Sequence, residues 1–63
     1  MIYRYYLIHR PVMIGTVPRG MVGYKNFNHM ISVDEIGRTA WGYVEYDREL
    51  TEKEISEYEL VKE

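Results

Sequence analysis

Apolar and polar positions alternate with a period of two over most of this chain, the signature of β-strands. Residues 2–9 (Ile-Tyr-Arg-Tyr-Tyr-Leu-Ile-His) are rich in β-branched and aromatic side chains. Alternation puts Tyr3, Tyr5, Leu7 and His9 on one face and Ile2, Arg4, Tyr6 and Ile8 on the other. Both faces are mostly apolar, which predicts a central or doubly covered strand. Pro11 ends it, because proline donates nothing to a ladder. Residues 11–20 read as a loop, with Val17-Pro18-Arg19-Gly20 fitting a type I turn. That loop is unusually apolar, with Val12, Met13, Ile14 and Val17 among its turn residues. Either these side chains fold over the sheet or they face a partner. A small domain needs every apolar group for its core, which favours the first.

Residues 21–25 predict a short strand weakened by Gly23, 26–28 a turn, and 29–33 another strand. Asp34-Glu35-Ile36-Gly37 fits a hairpin loop, with Gly37 free to take positive φ. Residues 38–47 give the clearest strand. Thr39, Trp41, Tyr43, Glu45 and Asp47 share one face, and Ala40, Gly42, Val44 and Tyr46 the other. The second face is thin enough for a helix to approach closely, leaving Trp41 and Tyr43 beside Tyr3 or Tyr5 on the far side. Thr51-Glu52-Lys53-Glu54 is a capping box, and Leu50 and Ile55 form its hydrophobic staple. These predict a helix from Glu52 to about Glu59, followed by Leu60-Val61 as a last strand or a helix exit. The predicted fold is α+β: a small antiparallel sheet of three to four strands with one short C-terminal helix.

Sixty-three residues are expected to form a single small domain spanning 1–63. With no cysteine, neither a disulfide nor a cysteine-based zinc site adds to a core this small. Stability must come from packing, from self-association into a homo-oligomer, or from a partner. No apolar run reaches membrane-spanning length and no cleavage site follows the N-terminal stretch, so a cytoplasmic location is expected. Charge is segregated. Residues 1–33 hold Arg4, Arg10, Arg19 and Lys25 and no acid, whereas all 10 acids lie in residues 34–63. Such a split either pairs across the folded domain or makes a dipolar surface.

Candidate chemistry is sparse. His9 and His29 lack metal-ligand spacing, and no hydroxyl is placed as a nucleophile. Glu45, Asp47 and Glu49 recur every second residue, as a cation site would need and as a solvated strand end also shows. Gly15, Gly20 and Gly23 among Arg10, Arg19 and Lys25 suggest a phosphate loop, but the spacing matches no known one. The remaining signal is aromatic: seven tyrosines, Trp41 and Phe27 exceed what one tiny core can hold. Such residues, with arginine, concentrate energy at interfaces.

The segments Tyr5-Tyr6-Leu7-Ile8-His9-Arg10-Pro11, Pro18-Arg19-Gly20, Ala40-Trp41-Gly42-Tyr43-Val44-Glu45-Tyr46-Asp47-Arg48, Leu50-Thr51 and Glu57-Tyr58-Glu59-Leu60-Val61 together resemble a group of short proteins of gut Firmicutes and their phages and mobile elements. The resemblance covers most of the chain and implies a genomic setting, not an activity. By analogy, small phage-borne domains such as anti-CRISPR proteins inhibit host defence systems.

The expected function is therefore a non-enzymatic protein-binding module without a cofactor or metal, of the kind that inhibits a host defence complex. The alternative is a nucleotide- or nucleic-acid-binding module using the basic N-terminal half. The expected surface joins Trp41 and Tyr43 to Arg10 and Arg19. One prediction is purely local. Thr51→Ala should lower stability by on the order of 1 kcal/mol, and equal denaturation midpoints for mutant and parent would refute the cap.

Overall fold

A computed structural model describes residues 1–13 and 15–63. Its elements are β1 (Tyr3–Leu7), β2 (Met21–Val33), β3 (Arg38–Tyr46), α1 (Glu52–Glu57) and β4 (Leu60–Lys62). The strands form one antiparallel sheet in the order β2-β3-β1-β4. β1 is central, as its two apolar faces required. It pairs with β3 from Tyr3↔Tyr46 to Leu7↔Gly42 and with β4 from Tyr5↔Lys62 to Leu7↔Leu60.

One sheet face carries the main core. Tyr5, Leu7, Val44, Tyr46 and Leu60 are buried there together with Val12 and Leu50, and half-buried Val17, Ile55 and Tyr58 pack against them. The Tyr5 and Tyr46 rings meet edge to face at 6.2 Å and are fully buried. Buried phenols need partners. The Tyr46 hydroxyl donates to the Pro18 carbonyl at 2.6 Å, and the Tyr5 hydroxyl accepts the Leu50 N–H at 2.9 Å. Asn26 adds a two-point contact: its Oδ1 accepts the Val12 N–H at 2.7 Å and its Nδ2 donates to the Val12 carbonyl at 3.1 Å. The apolar loop thus folds over the sheet through Val12 and Val17, while Met13 stays exposed. Ile14, expected to share that role, lies outside the described residues.

Several local expectations change. Within the loop the Thr16 N–H donates to the Met13 carbonyl at 3.1 Å. No reversal occurs at 26–28: β2 is one strand of 13 residues, and its register shifts between Met21/Gly23 and Asn26/Ile31. Asn26 still faces Gly42 and Ile31 faces Ala40, so residues 27–30 bulge opposite Trp41 alone. The Asn26 amide, which marked a turn in the sequence, is occupied by Val12 instead. Gly42 is needed for a reason other than a docked helix. A Cβ there would lie 2.3 Å from the Lys25 carbonyl oxygen, so it is the edge strand that approaches closely. The 34–37 hairpin forms as expected, with Gly37 at φ 70°.

The capping box is present, with the Glu54 N–H donating to Thr51 Oγ1 at 3.2 Å and the Thr51 N–H to Glu54 Oε1 at 3.0 Å. The helix stops at Glu57, two residues before the expected Glu59. Glu59 takes a left-handed φ of 56°, which breaks the helix and turns Leu60 back into β4. Arg48 grips Glu54 through both guanidinium nitrogens, at 3.0 and 2.9 Å, and with the Thr51 N–H holds that carboxyl down to about 2.

Burial pushes the Tyr46 phenol from 10.0 up to about 12. The folded state therefore favours the neutral form. That contribution is whole below pH 10 and is lost as pH rises through about 12. Tyr46→Phe leaves the Pro18 carbonyl without its donor, so it should destabilise by about 1–3 kcal/mol at neutral pH. It should also flatten the alkaline loss of stability. Urea titrations of mutant and parent at neutral and alkaline pH measure both effects, and superimposable curves would show that the buried phenol does not anchor the loop.

Candidate binding face

The second sheet face is built from the other half of each alternation. β1 contributes Arg4 and Tyr6, and β3 contributes Trp41, Tyr43 and Glu45. Along β3, residues 40 to 46 alternate buried and half-buried, with Trp41, Tyr43 and Glu45 the half-buried set. Register then decides who meets whom: Tyr6 stands opposite Tyr43, and Arg4 opposite Glu45.

Tyr43 is the hub. Its ring takes Tyr6 edge-on at 5.8 Å and Phe27 edge-on at 6.0 Å. The Arg4 guanidinium lies 4.1 Å from its centroid, a cation–π contact. Arg4 Nε and Nη2 both donate to Glu45 Oε2, at 3.1 and 2.8 Å, and Arg4 Nη1 lies 3.7 Å from Glu63. Tyr6 donates its hydroxyl to Glu63 at 3.1 Å. The bonds to Glu45, then to Tyr6, push the Arg4 pKa above its ordinary value, so it is a permanent cation. Burial pushes the Tyr6 phenol up, opposed by Arg4. Around this aromatic centre, Tyr6 with Val33 and Ala40 forms a second cluster, joined by half-buried Ile8, Phe27, Ile31 and Ile36.

Trp41 is half-buried on β3 and belongs to neither buried cluster. Alternation along β3 puts it on the same side as Tyr43. Arg10 is exposed and pairs with Glu59 after α1. Arg19 is exposed beside Pro18, at the end of the loop pinned over the first face. The aromatic neighbour of Tyr43 is Tyr6 and not Tyr3 or Tyr5, because Tyr5 pairs with Val44 and Tyr3 with Tyr46. Arg4, Tyr6 and Phe27 are the members that sequence reasoning missed. Alternation already placed Arg4 and Tyr6 together, but only the β1–β3 register brings them to Tyr43.

The acidic triplet does not assemble. Glu45 is bound by Arg4 and Glu49 by Lys62, while Asp47 is exposed. Among the described residues no three potential metal ligands cluster, no cavity opens, and no helix is long and apolar enough to cross a membrane.

A four-stranded antiparallel sheet, covered by a helix and a loop on one side and carrying aromatics on the other, defines a small α+β domain. The family model for Defence against restriction A C-terminal matches residues 1–63, so the chain belongs to that family. No curated protein and no solved structure matches it.

Proposed function

We propose that this chain is a non-catalytic anti-restriction module of phage or mobile-element origin, acting in the cytoplasm by contact with a protein of the host's restriction machinery. The observation that carries this reading is the family match over all of residues 1–63. The second sheet face supports contact as the means. It offers Trp41, Tyr43 and Phe27 half-buried, beside an arginine already oriented by Glu45. Tryptophan, tyrosine and arginine are the residue types that dominate interface energy.

The test is the plating efficiency of unmodified phage on a restricting host that expresses the chain. The parent should protect. Trp41→Ala and Tyr43→Ala should abolish protection while circular dichroism shows that each stays folded. With a purified restriction complex, each should weaken binding by roughly 2 kcal/mol or more. Added salt should weaken it only modestly, because buried contacts are poorly screened. A chain that confers no protection would sink the reading. Binding that instead falls steeply with salt and depends on Arg10 and Arg19 would transfer the function to a nucleic-acid partner.

A further inference from the structure

The outer edge of β2 is a second feature of the fold, and it borders the Tyr43 face at Lys25, which stands opposite Tyr43. β2 ends the strand order, so no other strand of the described residues lies beyond its 13 residues. An edge strand points part of its backbone N–H and C=O groups outward, where they can template another strand. Proteins blunt such edges with charge, with bulges, or by keeping them short. This one is long, and its only charged side chain at neutral pH is Lys25. Its bulges fall at Met21/Gly23 and at Asn26/Ile31, and so bracket a regular stretch, residues 23–26, without interrupting it. Val22 and Tyr24, one position apart in the alternation, are 54% and 59% exposed, and Met30 is 42% exposed. Large apolar side chains flanking an open ladder are what strand addition uses for side-chain recognition.

Charge chooses the occupant. No acid occurs from Met1 to Val33. Arg4 and Arg10 of that half are bound to Glu45 and Glu59, but Arg19 and Lys25 make no ion pair among the described residues. A second copy of β2 would bring another Lys25 and no acid to the ladder, and so offers no countercharge. The opposite edge, β4, is only 3 residues long and offers little to pair with. We propose that the β2 edge accepts an extended, acidic segment of a partner protein by strand addition, with backbone pairing along residues 23–26 and a carboxylate meeting Lys25.

The experiment follows the backbone amides of the full chain by NMR while a short peptide of alternating valine and glutamate is titrated in. The expected result is saturable shifts centred on residues 22–26 that weaken with salt. A peptide N-methylated at alternate residues should lose binding, since it cannot complete the ladder. Lys25→Glu, an exposed change that leaves the fold intact, should weaken binding roughly fivefold or more. The proposal is overturned if the N-methylated peptide binds equally well, if Lys25→Glu has no effect, or if the shifts fall on β1 and β4 with none in β2. It is also overturned if β2 shifts appear with protein concentration alone, the mark of a second copy, or if a single-stranded oligonucleotide binds there in preference to the peptide. Peptide binding with Lys25→Glu reads the edge, and phage protection reads the anti-restriction function, so failure of one leaves the other standing.

Discussion

Two buried phenols govern the architecture. Tyr5 and Tyr46 meet at the centre of the first sheet face, and each hydroxyl holds the backbone of an irregular segment. Tyr46 fixes the loop at Pro18, and Tyr5 fixes Leu50 immediately before the helix cap. A chain of this size has too little sheet to bury itself without a cover. Its cover is a loop and a helix of six residues, neither stable alone. The tyrosines solve this by contributing apolar area and a satisfied hydrogen bond at the same point. Asn26 does the equivalent at the loop's start, bonding Val12 from the edge strand.

The segregated charge of the sequence is spent partly on the fold. Arg4 reaches Glu45 and Glu63, and Arg10 reaches Glu59, so the basic and acidic halves are joined at three carboxylates. These pairs are at least partly exposed, and each adds little stability by itself. Arg4 differs in that its fixed position over Tyr43 holds an aromatic ring and a cation together. Glu45 and Glu49 are each paired with a cation of the chain, Arg4 and Lys62. What remains of the first half's charge is concentrated at Arg19 and Lys25, at and just before the edge strand.

Legibility in the sequence followed the range of the interactions. The capping box and staple at Leu50, Thr51, Glu54 and Ile55 were readable because every partner lies within five residues. The strands at 2–9 and 38–47 were readable from alternation, and so was the central position of β1. The strands read at 21–25 and 29–33 form as parts of β2, and only the turn at 26–28 fails, because the local preference of Asn26 is overridden. Gly23 marks a bulge, and the Asn26 side chain is satisfied by a loop fourteen positions away in sequence. The helix end was misjudged because nothing local announces a left-handed glutamate at Glu59. For the site, the residue types were visible but the grouping was not. Trp41 and Tyr43 share a face by period alone, whereas joining Tyr6, Arg4 and Phe27 to them required the register between strands distant in the chain.

The division of labour between the two sheet faces explains why one can be left for contact. The first face is sealed by elements anchored through Tyr5, Tyr46 and Asn26, and it contains the fully buried side chains Tyr5, Tyr46 and Val44. The second face holds its aromatics by mutual edge contacts and by Arg4, not by a covering layer. Those contacts orient Tyr43 and Phe27 before any partner arrives, which reduces the side-chain ordering that binding must otherwise impose. Gly42 extends the same logic to the backbone. Because it has no Cβ, β2 comes close to β3 beside Tyr43, and the bulge that follows carries Phe27 onto the Tyr43 ring. The glycine, read in the sequence as part of a thin strand face, and the bulge, read there as a turn, together assemble the aromatic face.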